Sequence, residues 1–377
     1  STTEEKRTSW SELFFDLVFV FAVTEVSALL EHDHTWAGVL RAFVVFVPIY
    51  WVWVGVTVQG DVRDLSAPPL RITVFAIALG GLFMALAVPN AYGESAMLLA
   101  LSYWGSRVLL GIVVLGPNRR HLNPVTVSMV MTGPLLVCGA LVHGDLRLAF
   151  WSLAAVADLA SPTLLRLRLS GMHFDAAHLA ERFGLFVLIA IGESVVAIGG
   201  TANAQGPITF GVGGAVAVAF VVTCALWWVY FHFAADAVRH ALATAPVQMT
   251  ITRLVLSYGH LSFIAGIIAA SVGLREAVAN PGHELSSGSL ALLFGGSALY
   301  LATFGYTRWM MFRLVSTTRL SAAIIVLIAM FPARFVPAVA ALVILATPLI
   351  ALNIVELMRN DRIGWRSLLA RQQRSPK

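Results

Sequence analysis

The sequence predicts an all-α integral membrane protein with about twelve transmembrane helices. Hydrophobic residues make up 58% of the 377 residues and charged residues only 12%, whereas an ordinary soluble domain carries about 25% charged residues. Apolar runs long enough to cross a bilayer recur along the whole chain. Positive charge is concentrated in every second connection between these runs. Together the three observations favour a multi-pass membrane protein over a soluble one.

Twelve apolar runs separated by polar connections are the predicted spans. They cover residues 10–30, 37–58, 69–88, 95–115, 124–142, 147–165, 179–199, 208–233, 248–271, 288–307, 319–331 and 335–357. The fifth contains Gly133-Pro134, where we expect a kink, because proline removes a helical hydrogen bond. The eleventh is short and is bounded by Pro332.

The distribution of Lys and Arg predicts the orientation. One set of alternate connections holds most of these residues: Lys6, Arg7, Arg63, Arg71, Arg119, Arg120, Arg166, Arg168, Arg239, Arg308, Arg313, Arg319 and the basic tail. The other set holds Arg41, Arg147, Arg275 and Arg334. Cytoplasmic loops carry the excess of Lys and Arg, so we expect both termini in the cytoplasm and the protein in the cell (inner) membrane. We interpret the tail, residues 359–377, as a lipid headgroup anchor rather than a nucleic-acid site.

Internal similarity predicts two repeats of six helices, residues 1–170 and 171–358. Residues 12–24 resemble residues 181–193, and residues 51–63 resemble residues 227–239. An arginine also opens both the third and the ninth span. Because each repeat has an even number of spans, the two share one orientation, and their pseudo-symmetry axis is expected to follow the membrane normal.

Carboxylates inside the first span are the main anomaly, because a charge at the centre of a membrane helix is unfavourable by roughly 2.5 kcal/mol or more. Glu12 and Asp16 are four residues apart and share one helix face. They are candidates for a pair that handles protons or cations. The alternative is a structural ion-pair network with arginines of neighbouring helices. Glu25 falls on roughly the opposite face, near the outer interface.

The second half supplies further candidates for a substrate or proton pathway. They are Glu181, Arg182 and Glu193 on the seventh span, His232 and Asp236 at the end of the eighth, and Arg253 and His260 on the ninth. Histidine and aspartate one turn apart can form an orienting pair for proton transfer, or a satisfied network at a helix end. Arg253 and Arg107 are each able to neutralise an acid, and the sequence leaves the pairing open.

Aromatic residues at the ends of the second and eighth spans are candidates for cavity lining: Trp51, Trp53, Trp228 and Tyr230. The alternative is an interfacial aromatic belt. Asp61 is assigned to a cytoplasmic loop and is expected to be solvated. No metal and no cofactor is predicted, and the absence of a phosphate-binding loop motif argues against ATP-driven transport.

Several motifs resemble those of the bacterial low temperature requirement A family. They are Ser9-Trp-x-Glu-Leu-Phe-Phe-Asp-Leu-Val-Phe-Val20, His178-x-x-Glu-Arg-Phe-Gly184, Ile191-Gly-Glu-Ser194, Trp227-Trp-x-Tyr-Phe231 and Tyr258-x-His260. The resemblance implies a polytopic membrane protein whose family name reflects a cold-growth phenotype. It highlights Glu12, Asp16, Glu181, Arg182, Glu193 and His260 without implying a role for them, because it brings no settled activity.

The function that the sequence favours is a transporter or channel for an ion or small solute, with proton coupling through the buried carboxylates. It predicts a cavity between the repeats, reached from one side, near Glu193 and Asp16. The alternative is a membrane-embedded enzyme in which Glu12, Asp16, His232 and Asp236 act by acid–base chemistry on a lipid or isoprenoid. A structural or sensory protein, with fully paired charges and no cavity above roughly 300 Å³, is a third interpretation. Expected partners are membrane lipids and an unidentified small molecule or ion, not nucleic acid.

Overall fold

Helices make up nearly all of the described chain. The computed structural model describes residues 8–63, 67–115, 122–232 and 234–372, with side chains described as far as residue 359 except that of Leu115. We number the main helices α1 Trp10–His32, α2 Trp36–Val62, α3 Pro68–Ala87, α4 Ala96–Leu115, α5 Pro124–Leu141, α6 Asp145–Leu164, α7 Ala176–Ala204, α8 Phe210–Phe231, α9 Ala234–Thr244, α10 Gln248–Ala279, α11 Ser287–Phe312, α12 Thr317–Ala333 and α13 Ala338–Gln372.

A helix stands at each of the twelve predicted spans, and ten segments within the described residues are long and apolar enough to cross a membrane. The other two predicted spans are α6, which carries Arg147 and Asp158, and α12, which has only 17 residues. The all-α, multi-pass membrane protein is therefore confirmed. The count of twelve and the cytoplasmic termini stay predictions. Lys6, Arg7, Arg119 and Arg120 lie outside the described residues, as do residues 373–377 and the tail side chains beyond Arg359.

The same helix neighbours recur in the two predicted repeats. In the first half α1 packs on α2 and α3, α3 on α4, α5 on α6, and α2 on α6. In the second half α7 packs on α8 and α10, α10 on α11, α12 on α13, and α8 on α13. The order is the same in both halves, and the division into two repeats stays a prediction. The halves meet where α1 and α2 contact α7 and α10.

Two helices contain π-helical stretches, which place polar groups in the interior. In α5 the stretch is Ser128–Thr132, immediately before Gly133-Pro134, where the sequence predicts a kink. In α10 it is Thr252–Gly259, where the Ser257 hydroxyl donates to the Thr252 carbonyl at 3.0 Å. Such widened turns are often found at functional sites.

Small residues let α10 and α11 pack closely. A Cβ added at Gly266 would lie 2.8 Å from the Gly296 carbonyl oxygen, and one added at Gly296 would lie 2.6 Å from the Ala270 amide nitrogen. Both obstacles are backbone atoms, which cannot move aside as a side chain does. The helices thus approach as glycine-containing membrane helices do, with van der Waals contact between backbones.

The substitution Gly296→Ala should therefore force α11 away from α10 and lower the stability by about 1–3 kcal/mol. The apparent melting temperature of the purified protein in detergent measures this. Gly295→Ala is the matched control, because a Cβ at Gly295 meets nothing within 4 Å, and it gains the same helix propensity. Equal melting temperatures for the two variants would contradict the close packing.

Candidate functional site

The start of α1 places its two carboxylates in the protein interior. Ser9 caps the helix, and its amide donates to Glu12 Oε2 at 2.9 Å, so the Glu12 side chain folds back over the first turn. Asp16 follows one turn later on the same face. Glu12 is 3% and Asp16 2% exposed. Both acids of the predicted pair thus point away from lipid.

Arg182 of α7 binds both carboxylates. Its Nη1 lies 2.9 Å from Glu12 Oε1, and its Nη2 lies 2.7 Å from Asp16 Oδ1. The guanidinium is fully buried, and a buried charge requires nearby opposite charges to offset its desolvation. Arg182 is therefore the cation that neutralises the anomalous acids of α1, and it joins α1 of the first half to α7 of the second.

Helix α2 completes this network from a third side. Trp53 Nε1 donates to Asp16 Oδ1 at 2.8 Å, and Asp61 Oδ1 lies 2.7 Å from His178 Nδ1. His178 Nε2 lies 3.4 Å from Glu12. We call these charged groups the inner cluster: Glu12, Asp16, Asp61, His178 and Arg182. Asp16 Oδ2 is buried without a hydrogen-bond partner among the described residues.

Asp61 corrects the sequence interpretation, which placed it in a solvated loop. Helix α2 continues to Val62, and the Asp61 side chain is buried against His178. The reason is helical spacing: Trp53, Thr57 and Asp61 are four residues apart and share one face of α2. That spacing was visible in the sequence, and reading α2 four residues further would have revealed it. His178 opens α7 one turn before Arg182, so the same spacing connects these two as well.

A second charged group lies further along α7. Arg275 Nη2 of α10 lies 3.1 Å from Glu193 Oε1, and Arg275 also pairs with Glu31 of α1. The Ser271 hydroxyl donates to Glu193 Oε2 at 2.8 Å. We call Glu31, Glu193, Ser271 and Arg275 the outer cluster. Glu193 is eleven residues from Arg182, or about 16 Å along the helix, so the structure does not bring Glu193 together with Asp16.

The remaining sequence candidates do not join the inner cluster. Glu181, His232 and Asp236 are all exposed. The His232 ring stacks on that of Trp228, with 4.9 Å between the ring centres. Arg253 donates to the Thr163 hydroxyl at 2.9 Å.

His260 is a buried group with a defined tautomer. Its Nδ1 lies 3.0 Å from the Val255 carbonyl oxygen, and its Nε2 lies 2.7 Å from the Tyr230 hydroxyl. A carbonyl oxygen can only accept, so Nδ1 carries the proton, and in the neutral ring Nε2 accepts from Tyr230. Both nitrogens are thus occupied within the protein, which fits a structural role.

One cavity, of about 220 Å³, lies between the halves. We call it the α2 cavity, because residues of one α2 face line it: Trp51, Val54, Gly55, Val58, Gln59 and Val62. Arg107 of α4 and Pro162 of α6 line it from the first half, and Met249 and Ser257 of α10 line it from the second. Of the predicted lining residues, Trp51 lies here. Trp53 faces the inner cluster, Trp228 borders a surface groove, and Tyr230 borders a different cavity.

Replacing Arg182 should be strongly destabilising, because it leaves two buried carboxylates without their cation. We expect Arg182→Gln to lower stability by about 3–5 kcal/mol, measured as the shift of the thermal transition in detergent. Glu181→Gln, at the exposed neighbouring position, should change it little. The triple variant Glu12→Gln, Asp16→Asn and Arg182→Gln should recover part of the loss. A triple variant no more stable than Arg182→Gln alone would contradict the ion-pair interpretation.

Comparisons with known proteins place the chain in a family. Residues 7–355 match the family described as bacterial low temperature requirement A protein. An uncharacterized protein of Rhizobium meliloti (strain 1021), RA0937, is 31% identical over 326 residues, which cover 82% of this chain and 78% of the relative. No solved structure matches. The match spans α1 to α13, including the inner and outer clusters, and the chain thus belongs to the bacterial low temperature requirement A protein family, as its motifs predict.

Proposed function

We propose that the protein is a transporter of the cell inner membrane, which moves a small solute or ion and is coupled to protons. One observation carries the proposal: α2 has the cavity on one face and the inner cluster on the other. Helix α2 thus contributes side chains both to a binding site for a solute and to a set of titratable groups.

The side chains of α2 alternate between the two sites as helical spacing requires. Gly55 and Val58 face the cavity, whereas Trp53 and Asp61 bind members of the inner cluster. A rotation or shift of α2 would therefore change both sites at once. Coupling between two sites requires such a shared element, whose position both sites bias.

The inner cluster contains the groups that a proton would bind. A carboxylate that takes up a proton loses its charge and most of its attraction for Arg182. The unpartnered Asp16 Oδ2 offers a buried acceptor for that proton. Protonation of Asp16 would weaken the junction of α1, α2 and α7, and so release the wall of the cavity.

The outer cluster supports access from one side at a time. Arg275 joins α10 to α1 and α7 through Glu31 and Glu193, about 16 Å along α7 from Arg182. In contrast, the α2 cavity extends to Val62, Arg63 and Asn123, which stand at helix ends that the charge pattern predicts to be cytoplasmic. Closure at one end with a cavity toward the other is what alternating access requires.

The arrangement favours transport over the alternative of an enzyme acting on a lipid or isoprenoid. That interpretation takes Glu12, Asp16, His232 and Asp236 as examples of acid–base groups in a dry pocket. In the structure Glu12 and Asp16 are buried, whereas His232 and Asp236 are exposed. The four groups therefore do not share one buried environment.

The test uses the full-length protein in liposomes that contain a pH-sensitive dye. A panel of solutes (potassium, sodium and chloride ions, amino acids and small carboxylates) is added outside under an imposed proton gradient. We expect one class of solute to drive proton movement above the level of protein-free liposomes. Asp16→Asn should reduce this movement to that level, because the substituted amide no longer exchanges a proton.

Glu25→Gln is the matched control, since it neutralises an acid of the same helix that lies outside the inner cluster. It should behave as the wild type does. Proton movement that is equal in wild type and Asp16→Asn would exclude the inner cluster as the coupling site. Absence of movement for every solute of the panel would refute transport.

A further inference from the structure

The α2 cavity has an apolar wall and one buried cation. Valine, methionine and leucine side chains make up much of the lining, including Val54, Val58, Val125, Met172 and Met249. Arg107 also lines the cavity and is 1% exposed. At about 220 Å³ the cavity is below the roughly 300–1,000 Å³ of drug-sized sites. A ligand that fits it must be small and largely apolar.

The Arg107 guanidinium is incompletely bound within the protein. Its Nε lies 3.3 Å from the Tyr103 hydroxyl, but its Nη1 has no hydrogen-bond partner among the described residues. An unsatisfied buried donor is unfavourable, more so on a charged group. A ligand anion in the cavity would satisfy it.

The nearest acid in this hydrogen-bond chain, Asp158, is occupied by hydroxyl groups. Tyr103, Ser128 and Thr132 reach it at 2.5, 2.6 and 2.9 Å respectively. The π-helical stretch of α5 supplies two of the three donors. No ion pair of the described residues joins Asp158 directly to Arg107, so Tyr103 lies between the anion and the cation, and the guanidinium keeps a free edge.

The second half contains a cavity in which a lining arginine already binds a carboxylate. That cavity, of about 250 Å³, is lined by residues of α8–α12, among them Phe263, Phe304 and Arg319. Under the predicted repeat α8, α11 and α12 correspond to α2, α4 and α5, so Arg319 of α12 is not at the position of Arg107 of α4. Arg319 is bound twice by Glu356, with Nε–Oε1 2.8 Å and Nη2–Oε2 2.9 Å. The arginine of the second cavity already holds a carboxylate, and the arginine of the α2 cavity does not.

We propose that the α2 cavity binds a small organic monocarboxylate, with its carboxylate on Arg107 and its apolar body against the valine and methionine side chains. This rests on the proposed function, since it names the class of solute for the same cavity. Guanidinium and carboxylate form short, charge-assisted hydrogen bonds. Gly55 leaves the room that this requires, because a Cβ there would lie 2.4 Å from Arg107 Nη1.

The experiment measures binding rather than flux. Radiolabelled hexanoate is dialysed to equilibrium against the full-length protein in nanodiscs, with empty nanodiscs subtracted, and hexanol, hexylamine and hexyl phosphate are matched competitors. We expect saturable binding of hexanoate and little competition by hexanol or hexylamine. Arg107→Gln should weaken binding about ten-fold or more, and Arg319→Gln, in the second cavity, should not.

Gly55→Ala guards against a folding defect in the Arg107 variant. Its Cβ would lie 2.4 Å from Arg107 Nη1 and 2.9 Å from Leu110 Cδ2, which are both ends of side chains rather than backbone, so the fold should persist while binding weakens. Equal competition by hexanol, tighter binding of hexyl phosphate, or unchanged binding in both variants would overturn the proposal.

The binding result separates this inference from transport. Arg107-dependent binding by a protein that moves no solute would support the site and refute the transporter. Proton-coupled flux of another solute, without saturable binding of hexanoate, would support the transporter and refute the carboxylate site.

Discussion

The ion pairs of Arg182 with Glu12 and Asp16 are the interaction on which the rest of the structure depends. A charge buried in a membrane protein must stay close to its partners, because no solvent replaces them. This requirement determines how α1 and α7 meet, and hence how the two halves meet. Trp53 and the Asp61–His178 pair add α2 to the same junction. The charges of the inner cluster thus fix one face of α2, and the opposite face of the same helix lines the α2 cavity.

The two halves resemble each other in helix order but differ in how they use charge. In the second half Arg319 and Glu356 form a closed pair. In the first half the Asp158 carboxylate binds hydroxyl groups, and Arg107, beside the α2 cavity, keeps Nη1 without a hydrogen-bond partner among the described residues. The shared helix packing is what the predicted repeat would produce. The two halves differ in their polar side chains. We expect a function that is specific to one half to depend on such differences rather than on the shared helix packing.

Much of the fold was predictable from the sequence, because membrane helices follow from apolar length. The opening motif identified the family, and Glu12, Asp16 and Arg182 were recognised as candidates. Their pairing was not predictable, since it joins residues 166 positions apart and depends on helix rotation. Asp61 was missed because α2 was ended too early. The Glu193–Arg275 pair was missed because Arg275 was counted only as a charge for orientation.

The separation of Arg182 from Asp16 along the chain also has a consequence for biogenesis. The first helix is synthesised 166 residues before the arginine that neutralises it. At about 5–20 residues per second, that interval is roughly 8–33 s. During this time α1 must keep its acids protonated, or remain near the interface, or rest against the insertion machinery. Translation therefore imposes an order on assembly: the N-terminal half can enter the bilayer early, but its first helix reaches its final environment only when the start of the second half has emerged.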